Sequence, residues 1–182
     1  MPPSHTRRAD PDRRQRIIDA ALEVIATHGV SGATHRRIAA AADVPLGSMT
    51  YHFEGMEDLL TAAFTQLARV SSARFHAVLD AATTREEARA AVVAIIVGDV
   101  WATPSTLLLS YELYAFAARN PALTAVMQGW MDSSREALGR HFDPLTARAL
   151  DAMVEGIGIH NSIDRAPLDR AQVEAIVARL AG

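Results

Sequence analysis

Apolar residues recur three and four positions apart along nearly the whole chain, and polar clusters with proline or glycine interrupt them. That period is helical, and no stretch alternates as a half-buried strand would. Ile17, Ile18, Ala21, Leu22 and Ile25 form one stripe, which predicts a first helix from about Arg13 to His28 with Gly29 as its stop. Ile38, Ala39 and Ala42 share one face over residues 34–42, and the Thr34 hydroxyl is placed to cap that second helix. Asp43 stands where the chain must turn sharply, and Asp tolerates a left-handed backbone better than most non-glycine residues. Val44 then packs inward, and Pro45 suits the first turn of a third helix on which Met49 and Phe53 face the core. A long fourth helix starts near Glu57, with Leu59, Leu60, Ala63, Phe64 and Leu67 on its stripe.

Helix signals continue to the end of the chain. Thr84-x-x-Glu87 is a capping box that opens a fifth helix carrying Val92, Ile95 and Ile96. Thr103-Pro104, Asn120-Pro121 and Asp143-Pro144 each join a capping residue to a helix-starting proline, and they predict helices over about 104–119, 121–141 and 144–161. Asp169-x-x-Gln172 opens the last, with Val173, Ile176, Val177 and Leu180 as its stripe. The expectation is an all-α chain of about nine helices.

The third helix turns unusual residues outward: Gly47, Ser48, Thr50 and Tyr51. Small, hydroxylated and aromatic side chains make poor core on so short a helix, but they suit a nucleic-acid groove. Gly47 permits close approach, Ser48 and Thr50 are candidates for base edges, and Tyr51 and His52 are candidates for the phosphate backbone. Thr34, Arg36 and Arg37 at the start of the second helix complete the candidate DNA-binding set, with Arg36 reaching a phosphate or a guanine. Two short helices about a tight turn form a helix-turn-helix pattern.

From Ile17 to Phe64 the chain resembles the TetR family of bacterial transcriptional regulators. The run IIDAALEVIATHG, the sequence Thr34…Arg36…Ile38-Ala39, and GSMTYHF leading into MEDLL carry the resemblance in that order. It implies a three-helix helix-turn-helix head and a helical body whose last two helices pair with their mates in a four-helix bundle. It also implies a homodimer on double-stranded DNA with a near-palindromic operator, and a small-molecule effector. Four positions depart from the family. Asp43 stands where glycine is usual, and Met56 replaces a frequent lysine at the start of the fourth helix. Thr50 replaces a usual tyrosine, which moves the aromatic phosphate donor to Tyr51. His35 occupies a usually apolar position; its phase with Ile38 and Ala42 makes it a packed or half-buried histidine, with a DNA contact as the alternative.

Composition and charge sharpen the division of the chain. Its 182 residues are 49% hydrophobic and 21% charged, a globular balance with enough length for a sizeable core. There is no cysteine, so disulfides, thiolate chemistry and zinc fingers are excluded. No apolar run is long enough for a bilayer and the first residues lack the apolar core of a secretory signal, so a cytoplasmic location with no membrane partner is expected. All 18 basic residues are arginine. Residues 1–53 hold seven arginines against five acids, whereas residues 54–182 hold eleven against sixteen. A basic end facing phosphates and an acidic remainder fit a DNA-binding head on a larger body. Residues 1–12, with three prolines and Arg7 and Arg8, read as a mobile basic arm; 13–55 as the helix-turn-helix domain; 56–182 as the effector-binding and dimerisation domain.

The body must supply an interface and a sensor. On the last two helices Leu150, Met153, Val154, Ile157 and Gly158, with Val173, Ile176, Val177 and Leu180, are the candidate dimer interface. Gly158, like Gly156, is suited to close helix approach, with fraying near the helix end as the alternative reading of Gly158. Soft and aromatic side chains gather at Trp101, Tyr111, Met127, Trp130 and Met131, an adaptable lining for a small-molecule effector; Glu112 and His160 are its polar candidates. The chain has no G-x-S-x-G elbow, H-E-x-x-H, Walker loop or Rossmann fingerprint, so no enzyme, catalytic residue, metal site or cofactor is expected. The reading is a ligand-responsive DNA-binding regulator, in the first place a repressor. An activator of the same fold and a helical protein-interaction module are the alternatives.

Overall fold

The structure is a computed structural model that describes residues 11–98 and 103–182. Among these residues the chain forms nine helices and no strand: α1 (Arg13–Gly32), α2 (His35–Ala41), α3 (Gly47–His52), α4 (Met56–Asp80), α5 (Arg85–Val97), α6 (Pro104–Ala117), α7 (Pro121–Gly139), α8 (Pro144–Asn161) and α9 (Arg170–Leu180). Trp101 and nearly all of the expected basic arm lie outside the described residues.

Side chains fix most of the helix starts. The hydroxyls of Thr34, Thr84 and Thr103 accept the amides of Arg37, Glu87 and Thr106, and the Asn120, Asp143 and Asp169 side chains cap α7, α8 and α9. Both expected capping boxes close reciprocally, with Glu87 and Gln172 reaching back to their N-cap amides. Each such cap satisfies backbone donors that the helix itself leaves orphaned. Gly29 interrupts α1 where the sequence placed its stop: its positive-φ backbone (φ 69°, ψ 170°) breaks the helix, and a short helical stretch follows as far as Gly32. One expectation changes. Pro45 lies just ahead of α3 instead of in its first turn, and its carbonyl accepts the Ser48 amide at 2.8 Å.

The chain forms two compact units, one ending at Ala63 and the other starting at Phe64, with the division inside α4. In the first, Ile17, Ala21 and Ile25 of α1 are buried, as are Ile38 of α2, Met49 of α3, Phe53, and Leu59 and Leu60 at the start of α4. The Arg14 guanidinium lies over the Phe53 ring, 5.0 Å from its centre. In the second, α5 packs against α8 and α9, and α7 packs against α6 and α8. His76 on α4 donates from Nε2 to the Ser133 carbonyl of α7 at 3.1 Å and accepts from Arg140 at Nδ1.

This packing corrects part of the expected interface. Leu150, Val154, Ile157, Gly158, Val173 and Val177 are buried within their own chain, because α5, α8 and α9 close on one another. They are core. Met153 and Ile176 are half-buried, and Leu180 is exposed. No helix among the described residues is long and apolar enough to cross a membrane.

Candidate DNA interface and effector crevice

The turn between α2 and α3 is tight because Asp43 takes a left-handed backbone (φ 51°) as its sequence position required. The Asp43 and Val44 amides then donate to the Ala40 and Ala39 carbonyls at 3.3 and 3.0 Å, which ends α2 and throws the chain into α3. The result exposes Tyr51 by 83%; its ring meets His52 edge-on, with centroids 4.8 Å apart. Thr50 is also exposed, and its hydroxyl donates back to the Gly47 carbonyl at 3.3 Å. A Cβ added at Gly47 would meet nothing within 4 Å, so the chain's own packing does not demand glycine there.

A shallow groove of about 600 Å³ joins Thr34, His35, Arg36, Leu46, Gly47 and Thr50 on this surface. Arg36 is exposed on it. Three residues depart from the sequence reading. Ser48 is only 7% exposed and turns into the packing, so it is not an outward hydroxyl. Arg37 bends back and donates its guanidinium to the Gly32 carbonyl, bracing the α1–α2 turn. Leu46, absent from the sequence reading, stands exposed at the entrance to α3, where the apolar-in pattern gave no sign of it. His35 is half-buried, with its Nε2 covered and without a hydrogen-bond partner.

The candidate effector residues separate into two places. Met127, Trp130 and Met131 line a crevice with Ser110, Leu113, Tyr114 and Glu155, which adjoins a second lined by Ser71, Phe75, Ser134 and Asp151. Tyr111 instead faces an open groove of about 450 Å³ with Leu107, Leu108 and Ile163, and its hydroxyl meets that of Ser162 at 2.9 Å. Glu112 is half-buried on the same helix and His160 is exposed; neither lines the Trp130 crevice. Asn161 is used structurally: its side chain donates to the Leu168 carbonyl at 3.2 Å and accepts the Leu168 amide at 2.9 Å.

The two carboxylates of the Trp130 crevice escaped the sequence reading. Asp151 accepts from Arg135 Nε at 2.9 Å, and Glu155 accepts the Tyr114 hydroxyl proton. Burial pushes both carboxyls above the usual carboxylate range, with Arg135 opposing the shift at Asp151 and the Tyr114 hydroxyl opposing it at Glu155. Burial, and then Glu155, raises the Tyr114 phenol as well. The available signal was a pair of acids one turn apart on the stripe that carries Leu150 and Val154.

Comparison with known proteins matches both units. Residues 17–63 match the family of bacterial regulatory proteins, tetR family, and residues 83–182 match the tetracyclin repressor-like C-terminal domain. SCO7518 of Streptomyces coelicolor A3(2), a structure assigned as a transcriptional regulator, is 44% identical with a TM-score of 0.85, over 94% of this chain and 99% of that one. The multidrug binding protein EbrR has been solved with imidazole, ethidium, proflavin and malachite green; its ethidium complex is 37% identical with a TM-score of 0.76, over 92% of this chain and 98% of that one. The HTH-type transcriptional regulator SrpR of Pseudomonas putida is 51% identical over 51 residues, which are 28% of this chain and 24% of SrpR. With the helix-turn-helix in the first unit and a matched regulatory domain in the second, this chain belongs to the TetR family of bacterial transcriptional regulators and is a DNA-binding regulator, not an enzyme.

Proposed function

We propose that this protein is a cytoplasmic homodimeric repressor that binds a near-palindromic operator and is released by a small organic effector held in the body. The observation that carries the DNA reading is the α3 surface: an 83% exposed Tyr51, beside an open Gly47 and the exposed Arg36, has no role in the chain's own packing. A DNA backbone gives those groups partners. The repressor sign is supported by the likeness of residues 83–182 to the tetracyclin repressor-like domain.

Dimerisation is supported by a stripe on α8 that its own chain leaves open. Leu145, Ala149, Ala152, Gly156 and Ile159, and Ile163 just beyond the helix, follow one another at steps of four, three, four, three and four. Leu145 and Ile163 are 78% and 77% exposed. That alternation is the seam of paired helices, and small residues at its middle let backbones come close. A two-fold axis along it asks for two DNA half-sites in inverted repeat.

The effector reading is supported by EbrR, whose bound molecules are small organic compounds, and by the polar and aromatic crevice around Trp130. An effector lowers DNA affinity only by preferring one conformational state over the other. The test is selection of bound sequences from random DNA, followed by gel shift of the selected site. An inverted repeat, bound by a sedimenting dimer and released by a small molecule, is the expected result. A direct sequence without symmetry, or binding that no compound disturbs, would count against the reading.

A further inference from the structure

Leu46 stands 51% exposed at the foot of α3. Its carbonyl accepts the Met49 amide at 3.1 Å, so its backbone is held at that place. A lone exposed leucine is ordinary on a protein surface. This one lines the groove between the two helices of the helix-turn-helix, with Gly47 and Thr50 on the α3 side and Thr34, His35 and Arg36 on the α2 side.

The α3 side of that groove offers a base no free side-chain proton. Gly47 has no side chain, the Thr50 hydroxyl gives its proton to the Gly47 carbonyl at 3.3 Å, and Ser48 is buried. The N7 and O6 acceptors of purines are read by donors, and the guanidinium able to do so stands on the α2 side, on the exposed Arg36. Leu46 offers methyl groups. In the major groove the apolar feature that a base pair shows is the C5-methyl of thymine. Nothing approaches the missing Cβ of Gly47, so the edge of a base can come up to Leu46 from the open side. Contact then takes both apolar groups out of water.

We propose that Leu46 is a specificity-determining residue that reads the C5-methyl of a thymine in each operator half-site. This rests on the reading that α3 docks in the major groove, and it names what the foot of α3 recognises there. The contact is blind to which pyrimidine carries the methyl. 5-Methylcytosine shows the same group at the same place, so it stands in for thymine at that position, whereas cytosine does not.

The test uses the full chain and the operator selected from random DNA. Each thymine is replaced in turn, in both half-sites, by deoxyuridine, which removes the methyl and keeps the pairing. At one thymine this should cost wild type about fourfold in affinity per half-site, the worth of one buried methyl. At the other thymines any loss should be the same for wild type and variant. At the read position 5-methylcytosine should bind better than cytosine by a similar factor. Leu46→Ala should bind the selected operator several-fold more weakly and lose the deoxyuridine penalty. Leu46→Asn, which keeps the branching and removes both methyls, should do the same. Circular dichroism should be unchanged in both, because the residue they alter is half in water. A selected half-site with no invariant thymine, a wild type indifferent to deoxyuridine at every position, or a penalty that Leu46→Ala keeps in full would overturn the assignment. If Tyr51→Ala or Arg36→Ala weakens binding while Leu46→Ala changes nothing, α3 docks but Leu46 reads no methyl. If all three bind as wild type does, the docking reading itself falls.

Discussion

The Arg37 guanidinium donates to the carbonyl of Gly32 while the Arg37 amide is capped by Thr34 at 3.3 Å, so one residue ties both ends of the α1–α2 turn. Its neighbour Arg36 points outward onto the groove. The two arginines should therefore fail differently. Arg37→Ala should lower stability by up to ~1 kcal/mol, as expected for an exposed hydrogen bond, and DNA affinity should follow stability. Arg36→Ala should leave stability unchanged. If Arg36 contacts phosphate, its loss should reduce the slope of affinity against salt by about one; if it reads guanine, the loss should be ~1–3 kcal/mol at a single operator position. Urea denaturation beside salt-dependent gel shifts separates these outcomes.

Gly47 offers a substitution that separates folding from recognition. Nothing in the chain approaches its missing Cβ. Gly47→Ala should hold or raise stability, by up to ~0.5–1 kcal/mol, because alanine loses less backbone freedom in a helix. DNA affinity should fall where the backbone of α3 must lie close to the duplex. Unchanged DNA affinity would mean that α3 docks by side chains alone.

The α8 stripe and the α9 core should also part company. Ala152→Glu places a charge on an exposed position in the middle of the stripe. It should dissociate the dimer, seen by sedimentation, with helical circular dichroism retained and DNA binding lost. Val177→Asp instead buries an unpaired charge where only 1% of the residue is exposed, and should unfold the body. A folded Val177→Asp monomer would contradict the core packing described above.

Glu155 also sets a pH dependence for stability. Its folded carboxyl holds a proton more tightly than an unfolded one, because burial disfavours the charge. Its destabilising contribution is fully present above the folded midpoint and is relieved as pH falls toward the unfolded value. Asp143 and Glu87 act oppositely: hydrogen bonds from Thr146 and from Thr83 hold their carboxyls below the usual range, so their stabilisation fades in acid. Wild type minus Glu155→Gln isolates the first effect. That difference in melting temperature should shrink as pH falls through the folded midpoint of Glu155 toward its unfolded value.

The helix frame was legible in the sequence because caps and prolines act locally. Thr84, Thr103, Asn120, Asp143 and Asp169 each begin a helix in the structure where sequence placed them, since the cap needs only residues within one turn. The left-handed Asp43 was legible for the same reason. What escaped depends on partners far along the chain. Val173 and Val177 carry an apolar stripe that α5 could cover as well as a second copy could, and periodicity does not name the partner. The Tyr114–Glu155 pair spans 41 residues and Arg135–Asp151 spans 16, so neither shows as a motif. Ser48 misled because a helix of six residues is too short for its phase to be read surely.

The pairing of α5 with α9 brings residues 85–97 against residues 170–180, at the end of the chain. During synthesis, Val92, Ile95 and Ile96 lack the α9 part of their cover until residues 170–180 have been made, although α8 is already available to them. The body therefore closes only once α9 has been made, and until then part of an apolar helix face is open to chaperones. A premature stop ahead of Arg170 removes the α9 part of that cover, so such an allele should yield an aggregating or degraded product, not a slightly shortened regulator.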